Sequence, residues 1–333
     1  MEIHRNSSLK KFNTFNVDEL AQLIIEIDNI SDLPNILSNK KDEILVLGGG
    51  SNILFTKPYN GLIINLKNKG KKIIQEDENT VLVEVSAGEN WHEFVLWAIK
   101  NNFGGLENLS LIPGNLGAAP IQNIGAYGVE LKDIFYSCKG LMLDTLSEFE
   151  FKKTECKFDY RTSIFKSTLK NKTVITSVKL ILTKSKHNFN IDYKDLNINL
   201  QDTELSVKKI SDEVIRIRTS KLPNPKFFGN CGSFFKNPIV NSDTYKSLLD
   251  KFPNIPAHKI DEDNYKISAA WLIDQSGFKN KKDKNVGVYE SQPLVIINNG
   301  KATGKELLNF ALNIKETIYN NFEIELEEEV IIM

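Results

Sequence analysis

The sequence has few metal-binding or disulfide-forming side chains. Its 333 residues contain three cysteines and four histidines. Cys138, Cys156 and Cys231 lack C-x-x-C spacing, so neither a disulfide framework nor a cysteine-ligated zinc site is indicated. The histidines are scattered along the chain. We therefore expect a protein of a reducing compartment that has no metal site.

Net charge and long apolar runs are also lacking. The 42 lysines and arginines nearly balance the 43 aspartates and glutamates, which gives no general attraction for nucleic acid or for an anionic membrane. No stretch approaches the roughly 20 apolar residues of a membrane helix, and residues 1–15 have no apolar core behind their basic residues. We expect a cytosolic protein whose partners are small molecules, without nucleic acid or membrane.

The size and the apolar content indicate two or three compact domains of the α+β class. Hydrophobic residues make up 41% of the chain, enough for a sizeable core. Periodicity predicts strands near residues 44–47, 62–66, 81–87, 133–144 and 172–184, and helices at 90–101, 268–275 and 303–320. Gly104 and Gly105 are expected to close the first helix after residue 101. In the last, Thr303 and Glu306 have capping-box spacing, and an apolar face should pack against strand 293–298.

Two segments rich in glycine expose backbone that carries little side-chain chemistry. "LVLGGGSNILF" (45–55) places three glycines, a serine and an asparagine directly after a strand, and "LSLIPGNLGAAPIQNIGAYGVEL" spans 109–131. Backbone amides in such segments can bind a phosphate or approach a flat ring. For a single glycine, a tight turn is the alternative. The pattern is not G-x-G-x-x-G and a strand follows it, which disfavours a Rossmann unit.

Five further motifs follow in order along the chain. They are "YRTSIFK" (160–166), "KLPNPKFFGNCGSFFKNP" (221–238), "AAWLIDQSGFK" (269–279), "SQPLVIIN" (291–298) and "LEEEV" (326–330). With the glycine-rich segments, these motifs resemble the UDP-N-acetylenolpyruvoylglucosamine reductase family of peptidoglycan synthesis, in the class with an extra tyrosine loop. The resemblance extends from Lys10 to the C-terminus.

The resemblance implies a vanillyl-alcohol-oxidase (PCMH) type FAD-binding fold of two α+β lobes, with a C-terminal α+β substrate-binding domain. The implied domains are residues 1–70 for lobe 1, 71–210 for lobe 2 and 211–333 for the substrate-binding domain, whose last strand returns towards the flavin. A monomer is implied.

The implied cofactor is FAD, with NADPH as the reductant. Many oxidases of this fold attach their flavin through a histidine or a cysteine, and neither residue type occurs in the two glycine-rich segments, so non-covalent FAD is expected. The residues implied to contact the cofactor are Gly48, Gly49, Gly50, Ser51, Asn52, Pro113, Gly114, Gly117, Ala118, Gln122, Asn123, Ile124, Gly125, Ala126 and Tyr127.

The family reaction implies that flavin N5 gives a hydride to C3 of the enolpyruvyl ether and that a protein acid protonates C2. Arg161 matches the electrophile, since a guanidinium holds a carboxylate whose charge grows as hydride adds. Without the motif, a surface ion pair would be the simpler interpretation of Arg161. Ser233 matches the proton donor, although a loop-capping serine is the alternative. The positive charge of Lys221 would make the hydroxyl of Ser233 a stronger acid.

Glu329 matches the third catalytic residue of the family. Period-two alternation in "FEIELEEEV" places Glu323, Glu325, Glu327 and Glu329 on one face of a predicted strand. An apolar segment follows Glu329, so burial and like charges should raise its pKa and favour a protonated form that donates a hydrogen bond beside Arg161.

The remaining matches concern the substrate. Tyr193 corresponds to the tyrosine that covers the substrate diphosphate, with an exposed loop tyrosine as the alternative. Lys221, Asn237 and Gln292 match positions that bind substrate phosphates or cofactor. Cys231 departs from the family, in which a small inert residue is usual; it is either an oxidisable thiol or a small buried hydrophobic residue. An oxygen-using flavin oxidase and a non-catalytic nucleotide-sugar binding protein are the competing functions.

Overall fold

The structure is a computed structural model that describes residues 1–38 and 43–333. The strands within these residues are β1 Glu2–Ser8, β2 Leu20–Ile27, β3 Ile44–Leu47, β4 Ile53–Leu54, β5 Tyr59–Leu66, β6 Lys71–Glu76, β7 Thr80–Ser86, β8 Gly125–Ala126, β9 Val129–Glu130, β10 Phe135–Met142, β11 Glu148–Lys152, β12 Thr173–Thr183, β13 Ile239–Asn241, β14 Ala257–Lys259, β15 Asn264–Ile267, β16 Lys282–Asp283, β17 Val286–Tyr289, β18 Gln292–Asn298 and β19 Ile331–Ile332. The helices are α1 Leu33–Ser38, α2 Trp91–Lys100, α3 Leu131–Ile134, α4 Lys194–Leu200, α5 Val207–Lys221, α6 Ser242–Lys251, α7 Ala269–Gln275 and α8 Gly304–Phe322.

The chain divides into two compact units, and both are discontinuous in sequence. Unit 1 consists of Met1–Ser7, Ala21–Gly49 and Asn60–Thr219. Unit 2 consists of Ser8–Leu20, Gly50–Tyr59 and Ser220–Met333. This grouping assigns two early segments to the same unit as the C-terminal third. The division into lobes 1–70 and 71–210 and a domain 211–333 stays a prediction.

Unit 1 is built on two sheets. One has the strand order β1-β2-β5-β3, in which β3 and β5 are parallel and Leu47 lies opposite Asn65. The other is an antiparallel sheet of order β11-β10-β12-β7-β6. In β7 the side chains alternate, and Val81, Val83 and Val85 are fully buried. The predicted strands in this part of the chain are confirmed.

Helix α2 covers the five-stranded sheet of unit 1. The Asn90 side chain accepts a hydrogen bond from the Glu93 amide at the start of the helix, as expected of an N-cap. The helix ends within one residue of the predicted position, but an asparagine rather than the predicted glycines closes it. Asn102 takes the left-handed conformation (φ 55°), and the Phe103 amide donates to the Ala98 carbonyl at 2.9 Å, so the chain has left the helix before Gly104.

Unit 2 contains three small sheets and one long helix. The sheets have the orders β13-β15-β14 and β16-β17-β18, together with the parallel pair β19 and β4. Thr303 and Glu306 form the predicted capping box at the start of α8. The buried face of α8, which includes Leu307, Ala311 and Ile314, shares one apolar core with β17 and β18, so the predicted packing is confirmed.

The acidic segment before the last strand alternates in burial without forming a regular strand. Glu323 ends α8 in the left-handed conformation, with φ 57°. Ile324 and Leu326 are buried, whereas Glu325 and Glu327 are exposed, which is the predicted alternation. The prediction of a continuous strand is wrong, because within the described residues the segment pairs only through an isolated bridge at Glu328.

No helix among residues 1–38 and 43–333 has both the length and the apolar content needed to cross a bilayer.

The capping box gives a test of the packing in unit 2. Replacing Thr303 with alanine removes the acceptor for the Glu306 amide, and we expect the free energy of unfolding to fall by about 1 kcal/mol, measured by urea denaturation. Thr317→Ala is the control, because its hydroxyl bonds only within the exposed face of the same helix, and it should change stability by less than about 0.5 kcal/mol. Equal losses in the two variants would contradict the cap assignment.

Candidate active site

The two glycine-rich segments lie against each other in unit 1. A Cβ atom added to Gly49 would lie 2.9 Å from the Cα of Gly114, and one added to Gly48 would lie 3.1 Å from the Cβ of Ala118. Real Cβ atoms do not approach backbone this closely, so Gly49 has to be glycine for the segments to touch. The sequence prediction that these segments form one site is consistent with this contact.

The backbone amides of the two segments differ in their availability. In the second segment, Leu116 and Gly117 donate to the carbonyls of Glu89 and Ala87, both at 2.9 Å. The expectation of open amides is wrong for this part of the chain. The amides of Gly48, Gly49 and Gly50, in contrast, find no acceptor among the described residues.

Gly50 begins the part of the first segment that belongs to unit 2. It has a φ of 64°, and an added Cβ would lie 1.9 Å from the Phe12 carbonyl oxygen. Its own carbonyl accepts a hydrogen bond from the Thr14 amide at 3.0 Å. A side chain at position 50 is therefore excluded both by backbone conformation and by space.

These features fit a bound dinucleotide. A diphosphate needs hydrogen-bond donors, and the amides of Gly48 and Gly49 have no acceptor in the part of the chain that the structure describes. A flat ring needs a surface without protruding side chains, which the adjacent glycines provide.

A short hairpin, β8 and β9, carries the end of the second segment in unit 1. The Asn123 side chain is fully buried and holds this hairpin. Its amide donates to Glu130 Oε2 at 3.0 Å and to the Asp159 carbonyl at 3.1 Å, and its oxygen accepts from the Lys132 amide at 3.0 Å. Because these bonds occupy the side chain, it is the backbone of Asn123 that stays a predicted cofactor contact.

Arg161 lies at the tip of a turn that is fastened to this hairpin. Asp159 and Thr162 exchange two backbone hydrogen bonds of 3.2 Å, which places Arg161 in the left-handed conformation with a φ of 54°. Its Nη2 donates to the Gly125 carbonyl at 2.7 Å, and its guanidinium lies 5.4 Å from the centre of the Tyr160 ring. The predicted electrophile is thus adjacent to Gly125, a predicted cofactor residue.

A second arginine, which the sequence analysis missed, lies near Arg161 in unit 1. Burial lowers the pKa of Arg218, the Tyr127 phenol that it hydrogen-bonds opposes this effect, and the charge of Arg161 lowers the pKa further. Its Nε is buried without a hydrogen-bond partner, and no carboxylate among the described residues pairs with it. Arginine stays charged even so, and this cation is suited to an anionic ligand.

The signal for Arg218 was present in the sequence. The apolar stripe of α5 contains Ile210, Val214 and Ile217, and position 218 falls on the same stripe at helical spacing from Val214. A charged residue on the apolar face of an amphipathic helix needs a partner, and no acidic residue of this helix lies beside it on that face.

Arg218 also affects its neighbours in unit 1. Burial, followed by the charge of Arg218, lowers the pKa of His92. His92 Nδ1 accepts a hydrogen bond from the Leu111 amide at 2.9 Å, which assigns the proton of the neutral ring to Nε2. Burial also raises the pKa of Tyr127, so its phenol remains protonated at neutral pH.

Tyr193 lies edge-on to Tyr127 in unit 1. Their ring centres are 5.0 Å apart with an interplanar angle of 77°. The Tyr193 side chain is half in solvent, 48% exposed, and directly precedes α4. This tyrosine, predicted to contact the substrate diphosphate, therefore lies beside the Tyr127 and Arg218 pair.

Ser233 occupies a tight segment of unit 2. Gly232 before it is left-handed with a φ of 70°, and the Phe234 amide after it donates to the Leu294 carbonyl at 2.8 Å. Phe234 and Phe235 are buried, whereas Ser233 is half-buried, and its hydroxyl forms no hydrogen bond with the part of the chain that the structure describes. The hydroxyl is held in place by its backbone and is available to a ligand.

Glu329 is fastened to the Ser233 segment within unit 2. Its amide donates to the Phe234 carbonyl at 2.8 Å, and its carbonyl accepts from Asn52 Nδ2 at 3.1 Å. The Ile331 amide donates to the Asn52 carbonyl at 3.0 Å, where β19 joins β4. Unit 2 therefore brings Asn52, Ser233 and Glu329 together. The raised pKa of Glu329 stays a prediction.

The other predicted substrate residues lie on separate elements of unit 2. The Asn237 oxygen accepts a hydrogen bond from the Ala269 amide at 3.0 Å, at the start of α7. Gln292 begins β18, and Lys221 ends α5. All three are half-buried. Their contact with substrate stays a prediction, as do the cofactor contacts of Ser51, Pro113, Gln122, Ile124 and Ala126.

Cys231 behaves as a small buried residue. It belongs to the apolar core of unit 2, and its thiol donates to the Ile53 carbonyl at 3.3 Å. Burial raises its pKa to about 12, so almost no reactive thiolate is present at neutral pH. Of the two interpretations offered by the sequence, the structure favours the inert one.

Comparison with known proteins agrees with this arrangement. Residues 224–333 match the model "UDP-N-acetylenolpyruvoylglucosamine reductase, C-terminal domain", and residues 21–144 match "FAD binding domain". The chain resembles the crystal structure of UDP-N-acetylenolpyruvylglucosamine reductase from Thermus caldophilus with a TM-score of 0.70 at 21% identity, covering 99% of this chain and 98% of that one. This match confirms the predicted fold.

Several curated relatives have a higher sequence identity to this chain than that crystal structure has. The UDP-N-acetylenolpyruvoylglucosamine reductase of Flavobacterium johnsoniae is 47% identical, with 99% of both chains covered, and that of Amoebophilus asiaticus is 44% identical with the same coverage. At this identity over the full length, the chain belongs to the UDP-N-acetylenolpyruvoylglucosamine reductase family of FAD-dependent oxidoreductases.

Proposed function

We propose that this protein reduces the enolpyruvyl ether of UDP-N-acetylglucosamine-enolpyruvate to UDP-N-acetylmuramate, with NADPH as the source of electrons. The observation that carries the proposal is the arrangement of unit 2, where one short segment holds both Glu329 and the half-buried Ser233, whose hydroxyl has no hydrogen-bond partner among the described residues. Family membership supports the reductase over an oxygen-using oxidase and over a non-catalytic nucleotide-sugar binder.

The bound FAD supplies a hydride acceptor for NADPH and a hydride donor for C3 of the substrate. Gly48 and Gly49 are suited to its diphosphate because their amides have no protein acceptor among the described residues. Gly114 and Ala118 leave a smooth surface beside them. These residues bind and orient; they take no part in proton transfer.

Arg161 would hold the carboxylate of the enolpyruvyl group. Addition of hydride to C3 moves charge onto this carboxylate, and a guanidinium stabilises that charge through two parallel hydrogen bonds. The Gly125 carbonyl fixes one side of the guanidinium at 2.7 Å, which reduces the freedom that has to be lost on binding.

Ser233 would protonate C2, with Glu329 as its partner in the proton transfer. A serine hydroxyl is a weak acid, so the carbon that receives its proton has to be strongly basic, as an enol intermediate is. Phe234 and Phe235, which follow this serine in the chain, are buried. Tyr193, Lys221, Asn237 and Gln292 would bind the nucleotide diphosphate and sugar.

The first prediction concerns the cofactor. The purified protein should be yellow and should release free FAD on acid or heat denaturation, because histidine and cysteine are absent from both glycine-rich segments. Absorbance of the protein-free supernatant measures the released flavin. Colour that stays with the denatured chain would contradict non-covalent binding.

The second prediction concerns Arg161. Arg161→Lys should retain FAD but lose at least about tenfold in kcat, since a single ammonium cannot provide two parallel hydrogen bonds to a carboxylate. Arg216→Lys is the matched control, because Arg216 is exposed and pairs with Glu213, and its kcat should equal that of the parent. Parental turnover in Arg161→Lys would remove Arg161 from the catalytic set.

The third prediction concerns Ser233. In Ser233→Ala, flavin absorbance should bleach with NADPH at the parental rate, because that step needs no proton from this serine. Its recovery on addition of substrate should be slower by about two to four orders of magnitude, the usual contribution of a positioned acid. Stopped-flow absorbance separates the two steps.

The control for that experiment is Ser242→Ala, at the start of α6, where the hydroxyl donates to the Glu262 carbonyl on the surface of unit 2. Both steps should be unchanged in this variant. A Ser233→Ala protein that recovers as fast as the parent, or that is slow only with NADPH, would show that the proton comes from another group.

A further inference from the structure

Asn65 is a buried polar residue beneath the first glycine-rich segment, and none of the roles described above involves it. It is the penultimate residue of β5, opposite Leu47 in the parallel pair with β3, and it is 2% exposed. Its Nδ2 lies 2.6 Å from the Leu47 carbonyl oxygen and 2.8 Å from the Gly48 carbonyl oxygen. One side-chain amide thus holds two successive carbonyls.

The orientation of this amide is fixed by the same contacts. Reversing it would place Oδ1 against two carbonyl oxygens, where no hydrogen is available, so both N–H groups of Asn65 face the glycine-rich segment. Oδ1 is then buried and has no hydrogen-bond partner among the described residues. A buried, unsatisfied oxygen costs free energy, so an asparagine here requires a compensating benefit.

That benefit follows from the planarity of the peptide bond. In a trans peptide, each carbonyl points opposite to the N–H of the following residue. Because the Leu47 and Gly48 carbonyls point towards Asn65, the amides of Gly48 and Gly49 point away from it, to the same side. In an extended strand, successive amides would point to opposite sides, so Asn65 converts this step of the chain into a pair of convergent donors.

We propose that Asn65 is a positioning residue that directs the amides of Gly48 and Gly49 at the diphosphate of the bound FAD. The inference rests on the proposed function, because it takes the cofactor to be a dinucleotide. Two convergent amides are suited to anionic oxygens rather than to the flavin ring, so Asn65 contributes to the binding of the phosphates.

Two flavins test the proposal, because riboflavin has the ring of FAD but no phosphate. Dissociation constants are measured by flavin fluorescence on the full-length chain after removal of its flavin. In Asn65→Leu, the affinity for FAD should fall at least about tenfold, the loss expected when a charge-assisted hydrogen bond is broken, while the affinity for riboflavin stays unchanged. The release of FAD from the holoprotein should accelerate in parallel.

Asn65→Asp keeps the shape and provides a second measurement if the leucine variant does not fold. Above its pKa the carboxylate repels the Leu47 and Gly48 carbonyls, whereas the protonated form donates one hydrogen bond. The affinity of this variant for FAD should therefore fall as the pH rises, relative to the parent, while that for riboflavin follows the parent. A purely structural role for Asn65 would not produce this difference between the two flavins.

Asn298→Leu is the matched control. Asn298 is also a buried asparagine, 1% exposed, whose Nδ2 donates to the Phe15 carbonyl at 2.8 Å within unit 2. This variant should lose stability, yet keep the parental ratio of FAD to riboflavin affinity. An Asn65→Leu protein that keeps that ratio would overturn the inference for Asn65 alone. A parent protein that binds no FAD would overturn both this inference and the proposed function.

Discussion

The close approach of two backbone segments in unit 1 is the constraint on which the candidate cofactor site depends. Gly49 and Gly114 touch with no space for a Cβ between them, and Gly48 packs on Ala118. The segments are more than 60 positions apart in the chain, so the sheet that carries β3 and the turns that hold 113–118 have to agree in position to within about an ångström. Asn65 and the carbonyls of Ala87 and Glu89 provide that agreement.

In unit 2, hydrogen bonds hold together two segments that are distant in the sequence. Ser233 and Glu329 are almost 100 residues apart, yet one carbonyl, that of Phe234, joins their segments at 2.8 Å. The last strand, β19, pairs with β4 and so fixes Glu329 from its other side. The segments that carry Ser233 and Glu329 are thus held in place mainly by main-chain hydrogen bonds.

The sequence predicted the elements and the motifs well because both depend on local patterns. Alternating valines predicted β7, and the spacing of Thr303 and Glu306 predicted the start of α8. The sequence did not predict features that depend on contacts between distant segments. Asn102 takes the place of the expected glycine at the end of α2, and the amides of Leu116 and Gly117 find partners in another segment. The position of Arg218 on the apolar stripe of α5 is visible in the sequence, but its contact with Tyr127 depends on packing that periodicity does not describe.

Arg218 has a consequence for the stability of the protein. Arg218 is a half-buried cation near the like charge of Arg161, and no carboxylate among the described residues pairs with it, so it destabilises unit 1 locally. Selection for heat resistance alone should favour variants in which an apolar residue of similar volume replaces Arg218. The persistence or loss of this arginine in such a selection therefore separates the demands of ligand binding from those of folding.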